Sequence, residues 1–152
     1  MEKTNNKKKN STDMKNNIKK AQRRLKKSQD NIKAARILIE QELYTDSLNR
    51  TYYAIFNVVS AVNVLNGFDN TKHSQTLGDF NKNMVKTGKF PKEYGRKCKE
   101  IFKKRQIADY DYSYQATYED AWNTYNEALS ILKKLSPYID TAITNFESVI
   151  RK

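Results

Sequence analysis

Very little punctuates this chain of 152 residues: it has four Gly, two Pro, one Cys, one His and one Trp. With so few breakers, hairpins and long irregular loops have little to build them, and stretches dominated by Lys, Glu, Ala, Leu and Asn read as helices joined by short turns. Cys98 is alone, which excludes an intramolecular disulfide, and one thiol with one imidazole, His73, cannot complete a structural zinc site. The longest apolar stretch, Ala54 to Leu65, is broken by Asn57, Ser60 and Asn63 and is too short to cross a bilayer. The Lys-rich start leads into no apolar segment, so it is not read as a secretory signal, and a reducing, cytoplasmic setting is expected. Glycine-rich phosphate loops, paired zinc spacings and Gly-x-Ser-x-Gly turns are missing, so neither a metal nor a nucleotide cofactor is expected.

What is present is enough for one modest core. A hydrophobic fraction of 38% supports a single all-α domain over residues 15–152, an antiparallel bundle of four to five helices. The formal charge of +12 is uneven, because the first 27 residues hold eleven Lys/Arg against Glu2 and Asp13. Residues 1–14 carry almost no apolar side chains and are expected to form a disordered basic tail. Such an arm raises the local concentration of polyanions and makes binding salt-dependent, although a solvated tail that aids solubility has the same composition.

The periodicity predicts five helices. Ile18, Leu25, Ile32 and Ile39 recur every seven residues, with Ala21, Ser28 and Ala35 between them, giving one narrow stripe from near Lys15 to near Leu43. Asp46 or Ser47 can cap a second helix whose broad stripe, Leu48, Tyr52, Ile55, Phe56, Val59, Val62 and Leu65, marks it as central and stops at Asn66-Gly67. A third, shorter helix is expected after Asn70-Thr71, carrying Leu77, Phe80, Met84 and Val85 up to Gly88. Pro91 opens a fourth, with Tyr94, Cys98, Ile101, Phe102 and Ile107 as its apolar face. Thr117 with Glu119 and Asp120 opens a fifth, and its core stripe of Ala121, Tyr125, Ala128, Ile131, Leu132 and Leu135 runs up to Pro137. Beyond Pro137 the chain is expected to continue with a kink or to form a further short helix.

The densest polar constellation is Lys103 to Tyr114, at the end of the fourth helix. If the helix runs through it, Arg105, Asp109 and Tyr112 fall at i, i+4 and i+7 on one face. An Arg fork can grip a phosphate in two bonds while Asp fixes its orientation; equally, the two can form only a helix-surface pair worth about 0.2–0.5 kcal/mol. Tyr110, Tyr112, Tyr114 and Tyr118 offer faces on which unpaired bases could stack, or core residues with a hydroxyl at the rim. His73 alone would titrate near neutral pH, and it sits at a predicted helix start.

Thr51-Tyr52-Tyr53-Ala54-Ile55-Phe56, Lys72-His73-Ser74, Val85-Lys86-Thr87-Gly88 with Pro91, and Arg105-Gln106-Ile107-Ala108-Asp109-Tyr110 follow one another as landmarks. In this order the chain, over about residues 30 to 135, resembles the branch of the HEPN superfamily marked by an Ala-Asp-Tyr motif. The resemblance implies a helical bundle, commonly a homodimer with two Arg-bearing helix ends across a cleft, often paired with a small nucleotidyltransferase in toxin–antitoxin or defence systems. It implies an endoribonuclease site that works without metal, in which Arg105 matches the motif's Arg and Gln106 its polar residue. Tyr110 stands where the motif most often has His, and a phenol of ordinary acidity is a poor base at pH 7. Asp109 or His73 would then take the proton. Tyr112 matches the tyrosine that a cognate nucleotidyltransferase adenylylates in some relatives. In others the HEPN chain is the non-catalytic, substrate-binding half of a two-part nucleotidyltransferase.

Overall fold

The computed structural model describes residues 2–70 and 72–151 and the side chains of 13–70 and 72–151. Five α-helices follow one another: α1 Glu2–Glu40, α2 Tyr44–Leu65, α3 His73–Phe80 with a π-helical turn Asn81–Val85, α4 Lys92–Tyr110 and α5 Tyr118–Ile150. The disordered tail expected over residues 1–14 falls on a segment whose side chains, up to residue 12, lie outside the described residues. No helix among the described residues is long and apolar enough to cross a membrane.

Every member of the predicted α1 stripe, from Ile18 to Ile39, is buried. Its small members let α2 approach closely, and Ser28 spends its hydroxyl on the Ala54 carbonyl at 2.6 Å. Between the two helices Glu42 adopts φ 63°, and the Leu43 amide donates back to the Leu38 carbonyl at 2.8 Å, which closes α1 with a left-handed residue usually supplied by Gly. α2 therefore starts at Tyr44, earlier than expected. Ser47 caps nothing and donates to the Tyr44 carbonyl instead.

α2 packs against α1, α3, α4 and α5, as its broad apolar stripe requires. Consecutive long helices alternate in direction. Arg105, late in α4, reaches Tyr53, early in α2. The start of α5 lies beside the start of α2, with Tyr44 and Tyr118 rings 5.8 Å apart, and Asn66 at the far end of α2 donates to the Tyr138 hydroxyl. α2 and α5 thus run the same way and share the core. Thr117 caps α5 as predicted, accepting from the Asp120 amide at 3.1 Å. α5 continues through Pro137 to Ile150 and buries Ile139 and Ile143 on the same stripe.

Candidate functional site

Helix geometry decides which side chains of α4 turn inward. At about 100° per residue, Cys98, Ile101 and Phe102 fall on the same side as Arg105 and Asp109, whereas Ile107 lies about 200° from Arg105 and points outward. Cys98 and Ile101 are buried and Phe102 packs on the core. Ile107 is 48% exposed, which corrects its placement on the apolar face. The same rotation carries Gln106 and Tyr110 away from Arg105. Gln106 is exposed and Tyr110 is 76% exposed.

α4 stops at Tyr110, so Tyr112 does not share a face with Arg105. The chain turns because the Asp111 carboxylate accepts from the Ser113 amide and hydroxyl at 3.0 and 2.6 Å, a local bond that competes with the helix. Tyr112 ends fully exposed, at 101%. Tyr118 packs edge-on against Tyr44 and stacks with Trp122. The aromatics at Arg105 come from α2 instead.

Arg105 is held on three sides. Its Nε lies 2.7 Å from Asp109 Oδ2, with side chains 17% and 30% exposed. The N–H does not lie along that contact, so the charges pair while Nε–H lacks an in-line acceptor. Its Nη2 donates to the Tyr53 hydroxyl at 3.4 Å. Its Cζ stands 4.9 Å from the centre of the Tyr52 ring and 5.5 Å from that of Tyr53, within cation–π range. Asn49 Nδ2 reaches both Asp109 oxygens at 3.4 Å, bracing the carboxylate from α2.

His73, the first residue of α3, joins the same cluster. Its ring stacks on Phe56 with centres 4.0 Å apart, and Nδ1 lies 2.6 Å from the Tyr52 hydroxyl. Burial raises the Tyr52 phenol above its ordinary range, so it keeps its proton and donates it to Nδ1. The imidazole proton then resides on Nε2. Burial first, and the Arg105 charge second, lower the His73 pKa, which keeps the ring neutral at pH 7.

The structure thus unites Arg105 and Asp109 of α4 with His73 of α3 and leaves Gln106, Tyr110 and Tyr112 outside their contacts. Asn49, Tyr52, Tyr53 and Phe56 complete the cluster. None of them stood out as chemistry in the sequence, because Tyr52 and Phe56 served equally well as members of the α2 stripe. Among the described residues no group of three His, Cys, Asp or Glu side chains is placed to hold a metal ion.

The profile of the HEPN domain matches residues 21–137, and the chain belongs to the HEPN domain family. It is 41% identical over 76 residues to a protein of Thermotoga maritima named UPF0332 protein, a match covering 50% of this chain and 58% of that one. It is 28% identical over 115 residues to "Putative toxin MJ0142" of Methanocaldococcus jannaschii, covering 76% and 78% of the two chains. A second protein of that organism, "Putative toxin MJ0605", is 34% identical over 83 residues, 55% of this chain and 62% of its own. The matched segment is thus less than two thirds of the length of the Thermotoga protein and of the second archaeal one.

Proposed function

We propose that this chain is a toxin-type HEPN protein that binds RNA by a phosphate at Arg105. One observation carries the reading: a guanidinium is paired with Asp109 and set against the Tyr52 and Tyr53 rings, in one cluster with a neutral imidazole whose Nε2–H is a donor. Arg supplies planar donors for phosphate oxygens, Nε2–H of His73 adds another, and Tyr53 and Phe56 offer rings for an unpaired base. The toxin names of two relatives support the biological setting.

Cleavage at this site follows a metal-free course. A ribose 2′-hydroxyl gives its proton to Asp109, its oxygen attacks the adjacent phosphorus, and the 5′-oxygen leaves with a proton from solvent. A 2′,3′-cyclic phosphate remains. Arg105 offsets the charge that grows on the phosphate oxygens. In a homodimer, two such sites face each other across a cleft that borders the Arg105 side of α4. Expression of the wild type beside Arg105→Ala and Asp109→Ala, with total RNA mapped for new ends, tests this directly. Cuts that vanish in both variants are expected, and intact RNA with no binding to the purified protein would refute the reading.

A second reading rests on Tyr112, which stands clear of the fold at 101% exposure. It makes the chain the AMP-accepting partner of a nucleotidyltransferase. Incubation with such an enzyme and labelled ATP, comparing wild type with Tyr112→Phe, distinguishes this role by whether label stays on the chain.

A further inference from the structure

Two adjoining cavities lie between α1 and α2. The larger, about 840 Å³, is lined by Lys27, Asn31, Ile37, Arg50, Tyr53 and Phe56 among others. The smaller, about 330 Å³, is lined by Lys20, Arg23, Arg24, Lys27, Phe56 and Asn57 among others. Lys27, Phe56 and Asn57 border both, so the two form one furrow. Lining residues on α1 run from Lys20 to Leu38, about 27 Å at the helical rise of 1.5 Å per residue.

The furrow is charged in a particular way. Asp69 holds Lys20 and Arg24 at 2.6 and 2.7 Å, and the two bonds lower its pKa, so it stays ionised and those cations stay committed. Asp30, the other carboxylate at the furrow, is held by Lys26 at 2.7 Å. Arg23, Lys27 and Arg50 have no carboxylate within 4.0 Å among the described residues. Arg50 is aimed across the groove by the Asn31 side-chain oxygen at 3.4 Å. The floor consists of Tyr53, Phe56 and Asn57, and the first two also build the Arg105 cluster, through the Tyr53 hydroxyl and the Phe56–His73 stack.

Resting on the RNA reading above, we infer that this furrow is the track along which a single strand of RNA reaches Arg105. Spare cations at the walls meet successive phosphates, the aromatic floor takes bases, and midway along the furrow Tyr53 and Phe56 adjoin the phosphate grip. A strand of several nucleotides fits a channel of this length. A duplex presents its bases stacked inward and gains nothing from the floor.

The test uses the full chain and a labelled single-stranded RNA of 12 nucleotides, followed by fluorescence anisotropy over a range of salt. The triple variant Arg23→Ala/Lys27→Ala/Arg50→Ala is expected to bind about tenfold more weakly. Its plot of log affinity against log salt flattens by about 2, three lost contacts at about 0.7 each. A 4-nucleotide RNA, held at Arg105 alone, loses less than about threefold in the triple variant but falls with Arg105→Ala. Photo-crosslinks from thiouridine-labelled RNA to residues 50–57 give a second readout that needs no variant. RNA binding that Arg105→Ala weakens while the triple variant keeps its affinity and slope would overturn the furrow alone. No RNA binding by the wild type would overturn both readings, and equal affinity for a duplex or an acidic peptide would overturn the assignment to single strands.

Discussion

Replacing Arg105 by Ala should separate function from stability, and the structure gives the size of each effect. The pair with Asp109 contributes about 0.3–0.5 kcal/mol, as helical pairs at partly exposed positions do. Two cation–π contacts add about 0.5–1 kcal/mol each. Against these stands the cost of a guanidinium 17% exposed with an Nε–H that finds no in-line acceptor, about 1–3 kcal/mol. The opposing effects nearly cancel, so Arg105→Ala should change folding free energy by about 1 kcal/mol or less, a shift of about 2–4 °C in melting temperature. RNA affinity should fall at least about tenfold, because the forked donor is lost. Urea denaturation and anisotropy on the same preparation measure both. A loss of more than about 3 kcal/mol with unchanged RNA binding would mean that Arg105 is a structural residue.

Further outcomes follow from other features. Because the folded state disfavours protonation of His73, the unfolded chain binds the extra proton. Stability should be steady above about pH 6.5 and decline as pH falls below it, and His73→Gln should flatten that decline in urea titrations. Cys98 is 2% exposed and burial pushes its thiol up to about 12, so an aromatic disulfide reagent should leave it unmodified until urea is added. Ile55→Ala should cost about 2–5 kcal/mol, whereas Ile107→Ala should stay within about 0.5 kcal/mol. Glu42→Gly should raise the urea midpoint by relieving a left-handed residue, worth about 1 kcal/mol. A lower midpoint would show that the Glu42 side chain matters to the turn.

The helices were legible because burial leaves a periodic trace. The α1 stripe, the α5 stripe with its Thr117 cap, and the central place of α2 could all be read from spacing. Errors arose where a local interaction decided the outcome. The Asp111–Ser113 turn ended α4 before Tyr112, and an apolar residue in the last turn of α4 fell on the outward side. At the candidate site, Arg105 and Asp109 were visible as neighbours four residues apart. Asn49, Tyr52 and Tyr53 were not, since they lie more than fifty residues away in sequence and only the crossing of α2 with α4 brings them there. His73 was visible as a lone imidazole; its place in the cluster depends on where α3 begins.

The Tyr52 ring stands between a permanent cation and an ionisable imidazole, and this couples two equilibria. The Arg105 charge is one of the forces that hold His73 unprotonated. An anion seated on the guanidinium removes that opposition, so occupancy and protonation favour each other by the same free energy. Phosphate-bearing ligands should then bind more tightly in mildly acidic solution and draw a fraction of a proton from the buffer as they bind. The heat of binding should accordingly vary with the ionisation enthalpy of the buffer, and that variation should vanish in His73→Gln.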